Sequence, residues 1–221
     1  MEQCRIRTFV RRQGKISKAQ KRSYETLFPL FSLGESAILD SPSVFGNNGP
    51  LVIEIGFGMG TATALIAKEN TLINYLGIEV HKPGIGRLLW RIEKLGLLNV
   101  RIIEGDAVPI IENRVPDHSI SAFHIFFPDP WPKNRHHKRR LITRPFTDLL
   151  AKKMLSGAYI YMVSDWEEYA DWALAELSST PGLINKYSGF AERQLWRPET
   201  EFEKKGLDKN HRVKELFFIK A

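Results

Sequence analysis

Short apolar runs that alternate with helical stretches settle the class of fold before any motif is considered. LVIEI (51–55), NYLGIEV (74–80), NVRIIEG (99–105), SISAFHIFF (119–127) and AYIYMVS (158–164) have strand length and little polar interruption. Between them, helices are predicted at 61–68, 83–95, 143–155 and 167–178. Strands that are apolar on both faces and joined by helical crossovers make a largely parallel sheet with helices on both sides, so the chain is predicted to be α/β. VKELFFIK (213–220) is expected to add a late edge or antiparallel strand. Residues 1–50 read as a basic extension with a helix near 17–30 and a Gly/Ser/Pro/Asn-rich connection over 40–50, and residues 51–221 as the main domain.

At 221 residues and 43% hydrophobic, the chain supports one buried core. The net charge of +7 is unevenly placed. Arg5, Arg7, Arg11, Arg12, Lys15, Lys18, Lys21 and Arg22 face a single acid, Glu2, in the first segment, and Lys133, Arg135, Lys138, Arg139, Arg140 and Arg144 share residues 130–147 with no acid. Two such clusters suit a polyanion. The lone Cys4 excludes an internal disulfide framework or a cysteine zinc site, and the histidines at 81, 118, 124, 136, 137 and 211 lack ligand spacing, so no metal is expected. No apolar run approaches the ~20 residues of a membrane span, which makes the cytoplasm the expected compartment. Both a monomer and a homodimer fit the sequence.

EIGFGMG (54–60) follows the first strand and opens a helix, and Gly56, Gly58 and Gly60 let the backbone turn tightly against a ligand. A dinucleotide fingerprint has its third glycine one position later, where Thr61 stands, and directs a helix N-terminus at pyrophosphate. With Glu54 beside the turn, the pattern suits a cationic ligand without phosphate, such as S-adenosylmethionine. The competing reading makes Glu54 a helix cap and the glycines the packing of a tight turn. Glu79, about 20 residues on at the end of the second strand, is placed to accept from ribose hydroxyls. Asp106 and Ala107, after the third strand, are placed beside an adenine, although Asp106 equally suits a helix cap.

Asp129 stands between Pro128 and Pro130 after the fourth strand, a rigid, non-helical path that projects its carboxylate beside the cofactor's reactive group. Asp165, in SDW after the fifth strand, is the candidate for meeting a target base, with a helix N-cap as the alternative. The basic run after Asp129 supplies phosphate contacts. RPETEFEKKG (197–206) is a polar loop that suits either substrate contact or plain solvated surface.

The combination of RRQGKISKAQ (11–20), EIGFGMG, GIEVH, GDA, FFPDPWPKNRHHKRR (126–140), SDW and a late T-x-F-E resembles the bacterial tRNA (guanine-N7-)-methyltransferase family over nearly the whole chain. The resemblance implies a Rossmann-like, seven-stranded class I methyltransferase fold and transfer of a methyl group from S-adenosylmethionine to N7 of a guanosine in the tRNA variable loop. It implies that Glu54, Glu79, Asp106 and Asp129 surround the cofactor, and that Lys133, Asp165 and Thr200, Glu201, Phe202 and Glu203 contact the tRNA. Asp129, Asp165 and Arg140 are the expected catalytic set, with Arg135 and Arg139 as further substrate contacts. Glu201 stands where the family commonly has lysine, and HRVKEL (211–216) departs from its usual glycine and tryptophan. A methyltransferase acting on another RNA or atom, a non-catalytic RNA-binding module and a dinucleotide oxidoreductase are the competing functions.

Overall fold

The computed structural model describes residues 6–10, 14–34, 38–199, 203 and 212–221. Its centre is a seven-stranded sheet in the order β3-β2-β1-β4-β5-β7-β6. Strands β1 (Leu51–Ile55), β2 (Asn74–Glu79), β3 (Val100–Glu104), β4 (Ile120–Phe126) and β5 (Met154–Ser164) run parallel, and β7 (Lys214–Lys220) lies antiparallel to both β5 and β6 (Leu183–Asn185). The late strand predicted for 213–220 is thus antiparallel but sits inside the sheet, with β6 forming the edge beyond it. The order reverses at β1, which has β2 on one side and β4 on the other. In open parallel sheets the crevice outside the strand C-termini at such a reversal is where ligands bind.

Alternation along the strands divides the core. Leu51, Ile53 and Ile55 of β1, with Leu76, Ile78, Phe123, Ile125, Ile160 and Met162, pack under α5 (Ala107–Arg114), α6 (Arg144–Lys153) and α7 (Glu167–Ser178). Val52, Tyr75, Val100, Ile102 and Ala122 face α3 (Thr61–Glu69) and α4 (Lys82–Leu95). Glu54 lies between Ile53 and Ile55 and is buried with them, 2% exposed. Its register partners are Gly77 on β2 and His124 on β4.

The N-terminal segment is built into this frame. Helix α1 (Lys18–Phe31) starts at a capping box in which the Ser17 hydroxyl accepts from the Gln20 amide and the Gln20 side chain accepts from the Ser17 amide. It packs on α4 so closely that a Cβ on Gly86 would sit 2.4 Å from the Gln20 carbonyl oxygen. Arg22 pairs with Glu93, and the Leu33 amide donates to Ile102 of β3. A short helix, α2 (Ser41–Phe45), lies in the Gly/Ser/Pro/Asn-rich connection. Among the described residues no helix is long and apolar enough to cross a membrane, and no cluster of His, Cys, Asp or Glu has metal-site geometry.

Candidate active site

A cleft of about 640 Å³ opens at the C-terminal ends of β1, β2, β4 and β5. Glu54, Gly56, Gly58, Glu79, Asp106, Ala107, Asp129 and Asp165, all predicted from the sequence to serve one site, line it together. Gly60, predicted with them, does not. It is the left-handed residue before α3, and a Cβ there would lie 2.6 Å from Leu88, so its smallness serves α3–α4 packing.

Gly56 and Gly58 have φ of +73° and +56°, and the loop they shape closes with the Gly60 amide on the Phe57 carbonyl. Phe57 folds back over Gly77, where a Cβ would come within 2.6 Å of its ring. Glu79 braces the loop: one carboxylate oxygen accepts from the Gly58 amide at 2.8 Å, the other from the Val80 and His81 amides at 2.6 and 3.0 Å. Asp106 caps α5 by accepting from the Val108 amide at 3.1 Å, so the helix-cap reading and the cleft position hold together. Helix α7 has Trp166 at its N-cap, one residue beyond Asp165, and the Trp166 amide donates to the Ser164 hydroxyl.

Glu54 is the electrostatic anomaly of the cleft. Its Oε2 has no hydrogen-bond partner among the described residues. Burial pushes its pKa up to about 7, with the Thr63 hydroxyl pulling it back and Glu79 adding repulsion. A buried acid without a counter-charge is costly, and a cation seated beside it relieves that cost. The acid therefore fits the cationic group of a ligand better than the role of a simple turn residue.

The other wall is held differently. Phe127 and Trp131, at the two ends of the Pro128-Asp129-Pro130 turn, have φ of +51° and +48°, which bulky side chains adopt at a cost of about 1–3 kcal/mol each. Contacts from afar hold them there. The Phe127 amide donates to Val163 on β5, the Trp131 indole N–H donates to the Thr8 carbonyl at 3.1 Å, and the Arg140 Nε donates to the Pro130 carbonyl at 3.0 Å. Arg139 lies over the Trp131 ring at 4.1 Å and donates to the Arg7 carbonyl. Thr8, Phe9 and Val10 consequently reach the cleft, as do His81 and Trp166. Sequence reasoning missed these residues; the only signal for the first three was the apolar pair Phe9-Val10 in a basic stretch.

Lys133, at the N-cap of a 3-10 turn (Asn134–Arg139), and Arg135, within it, are exposed, whereas Arg140 is 1% exposed and does not line the cleft. Positive charge from Arg135, Arg139, Lys133 and Lys138, together with desolvation as the leading cause, holds the His136 pKa below its ordinary value.

Thr200, Glu201 and Phe202 fall outside the described residues. Glu203, expected to contact substrate, is instead buried at 2% exposure and accepts from Arg197 through both oxygens at 2.6 and 2.7 Å, with Arg193 alongside. Arg197 also donates to Glu215 at 2.8 Å and to the Tyr161 hydroxyl, which itself donates to Glu215. Burial disfavours the Arg197 charge, but the two carboxylates more than offset it and hold its pKa above the ordinary value. Glu203 is thus an internal partner of Arg197, and the T-x-F-E motif gave no hint of the arginine six residues earlier. Beside this network Trp196 stacks on His124 at 4.9 Å, and burial depresses the His124 pKa to about 3, so its ring is neutral.

Residues 48–216 match a family model described as a putative methyltransferase. The tRNA (guanine-N(7)-)-methyltransferase of Nitrosospira multiformis is 47% identical over 216 residues, 97% of this chain and 94% of that protein. Its counterpart in Treponema pallidum (strain Nichols) is 43% identical over 244 residues, 98% of this chain and 96% of that one. Among solved structures, the 16S rRNA methyltransferase KamB superposes with a TM-score of 0.62 at 14% identity, covering 85% of this chain and 96% of its own, which is a likeness of fold.

Proposed function

The chain belongs to the tRNA (guanine-N7-)-methyltransferase family, and from that membership and the cleft's geometry we infer how its residues act. It uses S-adenosylmethionine as methyl donor and methylates N7 of guanosine in tRNA. The observation that carries the assignment to this cleft is the convergence of Glu54, Glu79, Asp106, Asp129 and Asp165 on one cavity at the sheet reversal.

The cofactor supplies a methyl group on a cationic sulfur. Glu54, buried and with an Oε2 that has no hydrogen-bond partner among the described residues, holds the donor's positive end. Glu79 keeps the glycine loop in shape through the Gly58 amide and offers a carboxylate edge to the ribose, while Asp106 and Ala107 flank the adenine. Guanine N7 presents an in-plane lone pair, so no side chain has to remove a proton from it before transfer. The protein's contribution is alignment, and Asp129 and Asp165, at the ends of adjacent strands, fix the purine by accepting from its N1 and N2 protons. The same two carboxylates offset the positive charge that transfer leaves on the ring. Phe126, Phe127 and Trp166 supply apolar walls that exclude water. Lys133, Arg135 and Arg139 hold tRNA phosphates, Thr200, Glu201 and Phe202 keep their motif-based assignment to the substrate, and the target lies in the variable loop.

A tRNA transcript incubated with the protein and donor, reduced with borohydride and cleaved with aniline, tests the reading. Scission at one variable-loop guanosine is expected. Methyl incorporation without scission moves the reaction to another atom, and neither incorporation nor donor binding by calorimetry overturns the assignment.

A further inference from the structure

Arg140 belongs to a run of bases that reads as an RNA contact, yet its side chain is fully buried. Three structures meet on its guanidinium. Nε donates to the carbonyl of Pro130, the residue after Asp129. Nη1 donates to Glu168 at 3.0 Å and Nη2 to the other oxygen of the same carboxylate, in the first turn of α7, three residues after Asp165. Nη2 also meets His137 Nε2 at 3.0 Å in the 3-10 turn. The guanidinium lies over the rings of Tyr169 and Trp172, 5.1 and 5.0 Å from their centroids. The hydrogen bond and charge of Arg140, helped by His137 and Trp166, hold the Glu168 carboxyl below its usual range against the desolvation that opposes them.

We infer that Arg140 is a positioning residue that sets the separation of Asp129 and Asp165, and that it touches neither RNA nor the reacting atoms. This rests on the function proposed above. The planar fork is what the place requires: one edge holds a backbone carbonyl on the β4 side, and the other grips a carboxylate bidentately on the β5–α7 side. A lysine carries the charge but not three fixed donor directions. Glu168 remains 55% exposed, so only one member of the pair bears the full desolvation cost. The strained turn at Phe127 to Trp131 explains why a strut is needed: released from Pro130, that turn relaxes and Asp129 moves.

The test uses the full-length protein with Arg140→Met, Arg140→Lys, Glu168→Ala and, as a phosphate-contact control, Lys133→Ala. Turnover at saturating tRNA and donor, donor affinity by calorimetry, and tRNA affinity across a salt series are measured for each. Arg140→Met is expected to lower kcat by about 10²-fold, the loss that a displacement near 1 Å produces. Donor affinity should stay within about threefold, and the slope of log Kd against log salt should match the parent's. Arg140→Lys should recover part of the turnover. Arg140→Met leaves Glu168 55% exposed and open to water, whereas Glu168→Ala leaves the buried guanidinium without its carboxylate, so Arg140→Met is the variant that keeps the fold and Glu168→Ala is the second reading: it should lower kcat in the same way, by about tenfold, with donor and tRNA binding unchanged. Lys133→Ala should instead reduce the salt slope by about one, the signature of a lost phosphate contact that Arg140→Met should not show. Parent-like kcat in Glu168→Ala, or a salt slope reduced by about one in Arg140→Met, overturns the strut. A parent that makes no 7-methylguanosine overturns the function reading instead, so the two failures are distinct.

Discussion

The two walls of the cleft are made by different means. On the β1–β2 side, the glycine loop, Glu79 and Asp106 are fixed by amides close in sequence or one strand away: Gly58 to Glu79, His81 to Glu79, Val108 to Asp106. On the β4–β5 side, Asp129 and Asp165 sit on turns held by side chains from distant parts of the chain, with Trp131 reaching Thr8 and Arg140 reaching Glu168. The first wall is a property of local backbone geometry and recurs wherever that loop recurs. The second depends on partners that meet only when the fold is complete, so it can adapt to a particular substrate without disturbing the cofactor's seat.

The largest effect is expected at the buried network around Tyr161 of β5, the strand that leads into Asp165. Arg197→Met leaves Glu203 and Glu215, 2% and 4% exposed, without their main counter-charge. Uncompensated buried charge of this kind costs about 3–5 kcal/mol. Urea denaturation should show that loss, and among correctly folded molecules tRNA affinity should fall far more than donor affinity. Equal loss of both would mean that the two walls are not independent.

On the first wall, Glu54→Gln should change how stability depends on pH. The folded-state pKa of about 7 lies above the ordinary 4.5, so between those values the native state binds more protons than the unfolded one and stability falls as pH rises. The penalty above pH 7 approaches about 3 kcal/mol, and the neutral amide removes it. Denaturation midpoints at pH 5 and pH 8 should therefore differ less in Glu54→Gln than in the parent. The donor follows the opposite course: its cation favours ionised Glu54, so parent affinity should rise with pH through about 7, and that rise should vanish in the variant. A donor affinity that ignores pH in the parent would detach Glu54 from the cation.

The same contrast explains what could be read from the chain. Five parallel strands, the glycine loop and the acids at the strand ends follow from periodicity and from spacings within single βα units, and all five acids reach one cavity. Glu203, Arg140 and Thr8 could not be placed that way. A glutamate in a polar loop looks the same whether it faces solvent or an arginine folded underneath, and an arginine in a basic run gives no sign that it lies over two aromatic rings. Strand β6 has only three residues, too few for a periodicity to show, so of the two expectations for 213–220, edge or antiparallel, the structure bears out the antiparallel one and gives the edge to β6. Helix α5 begins at Asp106, and its short apolar turn offered less signal than the cap that starts it.

Gly84→Ala probes the first wall more gently. At this position, in the first turn of α4, a Cβ would fall 2.0 Å from the Gly58 carbonyl oxygen, so the glycine loop or the helix has to shift. Overpacking of this kind costs about 1–3 kcal/mol, and because the atom displaced belongs to the cofactor loop, donor affinity should fall while tRNA affinity measured without donor is retained. Loss of tRNA affinity instead would place the loop under control of the basic surface.

The smallest effect is expected where the N-terminal arm meets the second wall. Trp131→Phe keeps a ring for Arg139 to cover but removes the N–H that donates to the Thr8 carbonyl. A hydrogen bond of this type contributes about 1 kcal/mol. Thr8, Phe9 and Val10 line the cleft, so a loosened arm should weaken donor binding by about fivefold, the factor that 1 kcal/mol represents, and leave the denaturation midpoint nearly unchanged. Removing residues 1–10 in the same background should then weaken donor binding no further than it does in the parent truncated alone, because the arm would already be absent. If Trp131→Phe and the truncation instead act additively on donor affinity, Trp131 shapes the cleft through the strained Asp129 turn, and the arm holds its place by other contacts.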